Sequence, residues 1–362
     1  MVKFNVLIAD CDKGYTNAIS QYLSTWEETD YNIISFTEKQ LLQEYLKTEK
    51  TDILLISPEL LTENINLSNV QVTIINTPDR IPESLLSYPY INKYQPGDKI
   101  ARELINIFSK YCRDEIVINN NNINSTIIGV YSPIGGIGKT TVAVEIGKQY
   151  ALNGYKTLFI SLEELSSYIS LLDCDFSNNF SDLLYHLKQK NKNLIMKIEG
   201  LKNVDKYSGM NYFCPVSCYM DIQEISINEW IELLEYIRNN SDYEKIILDF
   251  NSSVNEKNIK ILKECDKVIM LINNDKMAQI KINQLYKNLD ILGIEDLSNN
   301  VDILFNNIND KNEILEDKCI IGKKINYYIP YDENLNININ AKTTLNLKGS
   351  FSNAIKDYIK DG

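Results

Sequence analysis

At 362 residues, with 37 Lys and Arg against 49 Asp and Glu and a formal net charge of −12, the chain is long enough for two or three domains of roughly 150 residues each. It has no broad cationic surface, which disfavours nucleic acid as a partner. A composition 44% hydrophobic and 24% charged supplies apolar material for two cores and excludes disorder over the whole length.

The opening Met1–Asp10 has too short an apolar run for a signal peptide and meets an acidic residue at once. No later stretch offers 18 uninterrupted apolar residues, so a cytoplasmic protein without stable membrane insertion is expected. A strand is expected at Phe4–Ile8, followed by a helix in which Tyr15, Ala18, Ile19, Tyr22, Leu23 and Trp26 recur at helical spacing. The alternation continues with Asn32–Phe36, a helix through Leu41, Leu42, Tyr45 and Leu46, strands at Ile53–Ile56 and Val72–Ile75, and a helix carrying Ile100, Leu104, Ile105 and Phe108. Strands and helices alternating at these lengths predict a parallel sheet covered on both faces.

The run Asn119-Asn-Asn-Asn-Ile-Asn-Ser125 has almost no apolar content, and Asn favours turns over helix or strand. It reads as a linker, which gives a first domain over 1–118, a linker over 119–125 and a second domain over 126–362. Past it the pattern restarts with strands at Ile127–Tyr131, Thr157–Ile160, Ile246–Asp249, Val268–Ile272, Ile303–Phe305 and Ile325–Ile329. The fold class is therefore α/β, with two doubly wound parallel-sheet domains. Seven scattered cysteines suit reduced thiols better than a disulfide framework. Cys214 and Cys218 lack the companions of a tetrahedral zinc site and read as small apolar side chains in a strand. The single histidine, His186, sits in a helical pattern and reads as a surface or half-buried residue.

The most informative segment is Ser132-Pro-Ile-Gly135-Gly136-Ile137-Gly138-Lys139-Thr140-Thr141. It follows a strand and opens a helix over Val142–Asn153, the context that a phosphate-binding loop requires. The glycines let backbone N–H groups turn onto phosphates, the helix N-terminus adds favourable potential, and Lys139 brings a charge to the β and γ oxygens. Thr140 is placed to put its hydroxyl on Mg²⁺. Asp249, ending the apolar strand Lys245-Ile-Ile-Leu-Asp249, is the expected second group toward the metal. The cofactors expected are thus ATP and Mg²⁺.

The spacing G-G-x-G-K-T after a strand, followed by Leu158-Phe-Ile-Ser161-Leu-Glu163, resembles the deviant phosphate loop of the ParA/MinD family of dimerising ATPases, a P-loop fold of the SIMIBI class. The resemblance covers most of 126–362. It implies a homodimer and ATP contacts from Gly135, Gly136, Ile137, Gly138, Lys139, Thr140 and Thr141. It further implies adenine recognition by Asn306 in Ile303-Leu-Phe-Asn306 and by Pro330 and Asp332 in Tyr328-Ile-Pro330-Tyr-Asp332. Two departures weaken the implied catalysis. The family's signature Lys before Gly-Gly, which reaches across the dimer, is Ile134 here. Its paired acids after the second strand appear as Ser161-Leu-Glu163, leaving Glu163 as the carboxylate that orients water. ATP binding with slow or negligible hydrolysis is expected.

The first 110 residues resemble a response-regulator receiver, the CheY-like fold. Asp10 and Asp12 stand at the acidic end of the first strand, while Ser57 occupies the acceptor position and lacks the carboxylate. Thr77 and Lys93 match the switch hydroxyl and the lysine, so a pseudo-receiver serving as a docking or dimerisation module is expected. A receiver-like domain ahead of an atypical ParA/MinD-type ATPase resembles the TadZ/CpaE family, which implies pilus or secretion machinery proteins or polar factors as partners. The alternative is a cycling ParA/MinD-type ATPase that positions plasmids, septa or flagella with a membrane-binding tail. The C-terminal stretch Phe351–Gly362 balances two Lys with two Asp and is expected to pack on the domain core instead.

Overall fold

The computed structural model describes residues 3–26, 30–62, 64–78, 81–111, 125–174, 179–190, 194–273, 275–291, 300–308, 319–320, 323–324, 327–339 and 342–361. The expected linker lies outside these residues except for Ser125. The chain divides into two compact units, Met1–Asn119 with Asn191–Leu201, and Asn120–Lys190 with Lys202–Gly362.

The first unit contains β1 (Lys3–Ala9), α1 (Lys13–Ser24), β2 (Asp30–Phe36), α2 (Lys39–Thr48), β3 (Thr51–Ile56), β4 (Val70–Thr77), β5 (Tyr90–Asn92) and α3 (Gly97–Tyr111). Its five strands are parallel in the order β2-β1-β3-β4-β5, one of the two common doubly wound orders. Period-2 alternation along β1 sends Leu7 and Ala9 to one face, where they meet Leu42, Leu46, Leu54 and Ile56. On this face the described residues between β3 and β4 form no helix, and Leu60 and Ile65 of that segment fill the layer instead. Phe4 packs edge-on to Phe108 of α3 with ring centroids 5.3 Å apart. The strand β5 escapes sequence reading because three residues are too few to show a period.

The second unit contains β6 (Thr126–Tyr131), α4 (Lys139–Leu152), β7 (Thr157–Ser161) and α5 (Phe180–Lys188). The helix α6 (Leu194–Leu201) follows in the chain but belongs to the first unit. Then come β8 (Asn203–Val204), β9 (Asn211–Tyr212), α7 (Tyr219–Glu224), α8 (Ile227–Asn240), β10 (Lys245–Asp249), α9 (Glu256–Lys263), β11 (Lys267–Ile272), α10 (Lys276–Ile291) and β12 (Val301–Ile308). The last elements are β13 (Cys319–Ile320), β14 (Lys323–Lys324), β15 (Tyr327–Pro330), β16 (Asn336–Ile339), β17 (Lys342–Leu345) and α11 (Ser350–Asp361). The main sheet runs β15-β12-β11-β6-β10-β7-β9-β8, parallel except for β8.

Strand β6 lies between β10 and β11, both later in the chain. The crevice outside its carboxyl end is therefore a topological switch point, where open α/β sheets bind ligands. Helix α4 is covered all round: Val142, Ile146 and Tyr150 join the main core, and Glu145 and Lys148 are fully buried. Its charges are engaged, Glu145 accepting from Gln149 at 2.8 Å and from Ser352, and Lys148 donating to Thr344 at 3.2 Å and pairing with Asp205 at 3.4 Å. Phe351, Ile355 and Tyr358 of α11 lie in the same core. The C-terminal helix is thus a structural layer, its apolar face spent on the core.

The two-domain division read from the sequence needs one correction. Residues 191–201, placed in the second domain by chain order, belong to the first unit. Seven of the eight residues of α6 are buried, so its amphipathic stripe is too wide for a surface helix and it must be enclosed. Its partner is α3, and the contact is close: a Cβ at Gly200 would stand 2.6 Å from Asn106 Oδ1.

Candidate functional site

The site in the second unit starts from backbone conformation. Gly136 and Gly138 adopt φ of +69° and +91°, a region where an L side chain is strained. A Cβ at Gly138 would also stand 2.8 Å from Asn306 Nδ2. Gly138 is the N-cap of α4, and its φ places Lys139 and Thr140 at the first turn, where unpaired N–H groups and the helix dipole favour an anion.

Two strand ends complete the site. Asp249, the last residue of β10, is fully buried and accepts from Ser161 Oγ, at the end of β7, at 3.2 Å. Glu163 follows β7, and Thr140 Oγ1 donates to its Oε2 at 3.4 Å. Beyond Glu163 the site opens into a depression of about 510 Å³ lined by Glu164, Leu165, Tyr219, Gln223 and Asn251. The structure therefore brings Lys139, Thr140, Glu163 and Asp249 together at the carboxyl ends of the central strands, beside the loop Gly135 to Thr141.

The electrostatics are those of a site short of positive charge. Burial, reinforced by the Glu163 charge, pushes the Asp249 carboxyl up to about 8. Burial also raises Glu163, against the pull of Lys139, and lowers Lys139 despite the two nearby carboxylates. Asp249 Oδ1 is buried without a hydrogen-bond partner. An orphaned carboxylate oxygen beside a threonine hydroxyl is a hard oxygen donor pair of the kind Mg²⁺ takes alongside phosphate, so the residues present fit the ion. Replacing Asp249 by Asn is expected to raise the thermal stability of the nucleotide-free protein at pH 8 and above. An acid whose folded pKa is raised loses stability as pH climbs from about 4 to about 8, because the unfolded state releases its proton first. The expected gain is on the order of a few kcal/mol; an unchanged melting temperature at pH 8.5 would contradict it.

Asn306 was expected after its strand and lies within β12. The register of β12 against β15 shifts between Phe305 and Ile308, and Asn307 adopts φ +61°. Such a bulge re-aims a side chain, and Asn306 Nδ2 donates to the Ile137 carbonyl of the loop at 2.7 Å. Its Oδ1 is buried and unpartnered, an acceptor suited to an exocyclic amine. Asp332, expected at the base, instead caps α11: Oδ2 accepts from Ser350 Oγ at 2.9 Å and Phe351 N at 3.2 Å, and Oδ1 from Asn334 N at 2.9 Å. Those bonds hold its carboxyl below the usual range against the cost of burial. Pro330 closes β15 opposite Ile308. Sequence reasoning missed Ser252, whose Oγ lies 2.5 Å from Lys139 Nζ; a hydroxyl three residues past the strand-end Asp was the available signal.

The first unit gathers a second polar cluster at its strand ends. Asp10 is buried and receives Lys93 Nζ at 2.9 Å and Asn76 Nδ2 at 3.3 Å. Asp12 stands 3.8 Å from the same lysine and caps α1 through Tyr15 N at 3.0 Å. Lys93 also lies 4.6 Å from the centre of the Tyr15 ring. Ser57 Oγ is buried without a partner, and Thr77 is buried nearby in sequence register at the end of β4. The lysine thus sits between the two acids, paired closely with the buried Asp10.

Elsewhere, Cys218 is exposed at the N-cap of α7 and lies in no strand, while Cys214 is buried just past β9. His186 is half-buried in α5. Among the described residues no group of His, Cys, Asp or Glu could hold a metal by itself, and no helix is long and apolar enough to cross a membrane.

Residues 125–304 match a family model described as an AAA domain. The structure resembles a ParA family ATPase from Chlorobium tepidum TLS at TM-score 0.51 and 18% identity, covering 66% of this chain and 98% of that one. It resembles equally the MinC:MinD cell division protein complex of Aquifex aeolicus, at TM-score 0.50 and 18% identity, over 66% of this chain and 95% of that chain. No curated protein matches the sequence. The larger unit thus has the P-loop fold of ParA and MinD proteins.

Proposed function

We propose that the protein is an ATP-binding positioning factor that acts as a homodimeric scaffold with slow or negligible hydrolysis. The observation that carries the nucleotide reading is the convergence of Lys139, Thr140 and the orphaned Asp249 Oδ1 on one glycine loop at a helix N-terminus. Gly135–Thr141 would hold the phosphates, Thr140 and Asp249 the Mg²⁺, and Asn306 the base. Bound Mg²⁺ would neutralise phosphate charge and offset the acidic pair. Glu163 is placed to orient water. Ile134, half-buried against the core, offers no cation to a partner's phosphates, and an in-trans cation of the arginine-finger kind is worth about 10³ to 10⁵ in rate.

The receiver-like unit supports a docking role, because Lys93 already holds the buried Asp10 and Ser57 has no carboxylate to phosphorylate. With the order of the two units, this favours the positioning of pilus-assembly or secretion machinery at a cell pole. The second reading, a cycling ATPase that positions plasmid, septum or flagella, draws on the likeness to ParA and MinD folds. The burial of Phe351, Ile355 and Tyr358 leaves α11 no apolar face for a membrane, which weighs against a tail-driven cycle.

Calorimetry is expected to show Mg-ATP binding by the wild type and none by Lys139→Ala; a wild type that does not bind would end the nucleotide reading. Turnover is expected below about one per minute, on the scale of P-loop proteins lacking an in-trans cation, and faster turnover would favour the cycling reading. Ile134→Lys is expected to increase the ATP-dependent dimer fraction in sedimentation, an effect absent if the site does not face a second copy. A fluorescent fusion that stays diffuse in the native host would count against polar positioning.

A further inference from the structure

In this structure the loop lysine is already held. Lys139 Nζ donates to Ser252 Oγ at 2.5 Å, and Ser252 Oγ donates in turn to the Ile134 carbonyl at 3.0 Å. A hydroxyl has one proton to give and lone pairs to receive, so both bonds exist together. Ile134 lies on the rising arm of the phosphate loop and Ser252 on the segment after β10. The relay therefore joins the two arms of the site, running from Lys139 to the Ile134 carbonyl with the Ser252 hydroxyl as its middle member.

Lys139 is only 5% exposed, and a buried ammonium without acceptors is costly. Ser252 supplies a neutral acceptor, which a phosphate oxygen outbids because a charge-assisted bond is roughly twice as strong. The rest of the segment that carries Ser252 is anchored independently of the latch: Asn251 donates to Glu164 at 3.3 Å and accepts from Asn258 at 2.7 Å, and the Ser253 carbonyl accepts from Asn258 at 2.8 Å and from Tyr131 at 3.3 Å.

We propose that Ser252 is a positioning residue that latches Lys139 in the nucleotide-free protein and is displaced when phosphate takes the ammonium. The inference rests on the nucleotide reading above and adds a consequence to it. Nucleotide entry breaks the tie that Ser252 makes between Lys139 and the Ile134 carbonyl. Apparent affinity is reduced by the fraction of molecules in which Lys139 is latched.

The test is calorimetry and stopped-flow binding of Mg-ADP and Mg-ATP to the full chain, with Ser252→Ala, Ser252→Thr and Ser253→Ala compared with the wild type. Ser252→Ala is expected to bind roughly three- to tenfold tighter, with the gain in the association rate and the dissociation rate unchanged. Ser252→Thr keeps the hydroxyl and is expected to match the wild type, as is Ser253→Ala, whose side chain is exposed. A role confined to loop stability would lower affinity or leave it unchanged, and either result in a Ser252→Ala protein with wild-type melting overturns the latch. Absence of binding by the wild type would instead remove the nucleotide reading, and the latch with it.

Discussion

Residues 1–119 expressed alone are expected to lack a cooperative melting transition, and the same fragment with residues 191–201 joined by a flexible linker is expected to regain one. Helix α6 places Leu194, Ile195, Met196, Ile198 and Leu201 in the buried interior. At about 1.5–3 kcal/mol for each buried apolar side chain, their enclosure is worth on the order of 10 kcal/mol. That figure is an upper estimate because denatured chains are already partly collapsed. It is nevertheless comparable with the whole stability of a domain, about 5–15 kcal/mol, so a first unit without α6 has little margin. A fragment 1–119 that melted as sharply as the intact unit would refute the dependence. In the full chain, Gly200→Val reports on the same contact, since its Cβ would stand 2.6 Å from Asn106 Oδ1 and 3.4 Å from Asn106 Cα. It is expected to lower the first transition by about 1–3 kcal/mol as an overpacking change and to leave nucleotide binding as it was.

Lys93→Met is expected to destabilise the first unit by about 3–5 kcal/mol in chemical denaturation, because it strands the buried Asp10 charge. Lys93 pays a desolvation cost that its bond to Asp10 and the charges of Asp10 and Asp12 outweigh, so its pKa is raised above 10.5. A raised lysine contributes stability that is fully present below its unfolded pKa and lost as pH rises through the folded one. The contribution is therefore intact through the neutral range and disappears only in strong alkali. The double variant Asp10→Asn with Lys93→Met is expected to recover most of the loss, since a pair removed together leaves no uncompensated charge. Equal losses in the single and double variants would show that Lys93 acts through packing on Tyr15 instead.

Much of the candidate site was legible from local order. Gly135 to Thr141 could be read because phosphate chemistry demands glycine, lysine and hydroxyl at short spacing, and the flanking apolar runs declared strand and helix. Asp249 was readable for the same reason, as the polar end of a buried strand. Chain order places Asn306 at the end of its strand but does not show what its amide reaches. A bulge in β12, invisible in residue types, turns its amide onto the Ile137 carbonyl. Asp332 illustrates the opposite case, because an acid after a strand suits a base and a helix cap equally. Only the return of α11 to its side decides for the cap.

The sequence by itself determined the alternation behind the two mainly parallel sheets, the glycine-rich loop that opens α4, and the apolar Ile134 and hydroxyl Ser57 at their positions. All of these follow from residue identity within a few positions of one another. The tertiary structure alone decided that Lys93 rests on Asp10 across 83 positions, that Ser252 holds Lys139 across 113, and that α6 belongs to the first unit. Such pairings depend on which strand ends and helix faces the topology brings together. An apolar helix such as α6 states only that it must be buried; the shape of the surface that accepts it selects where.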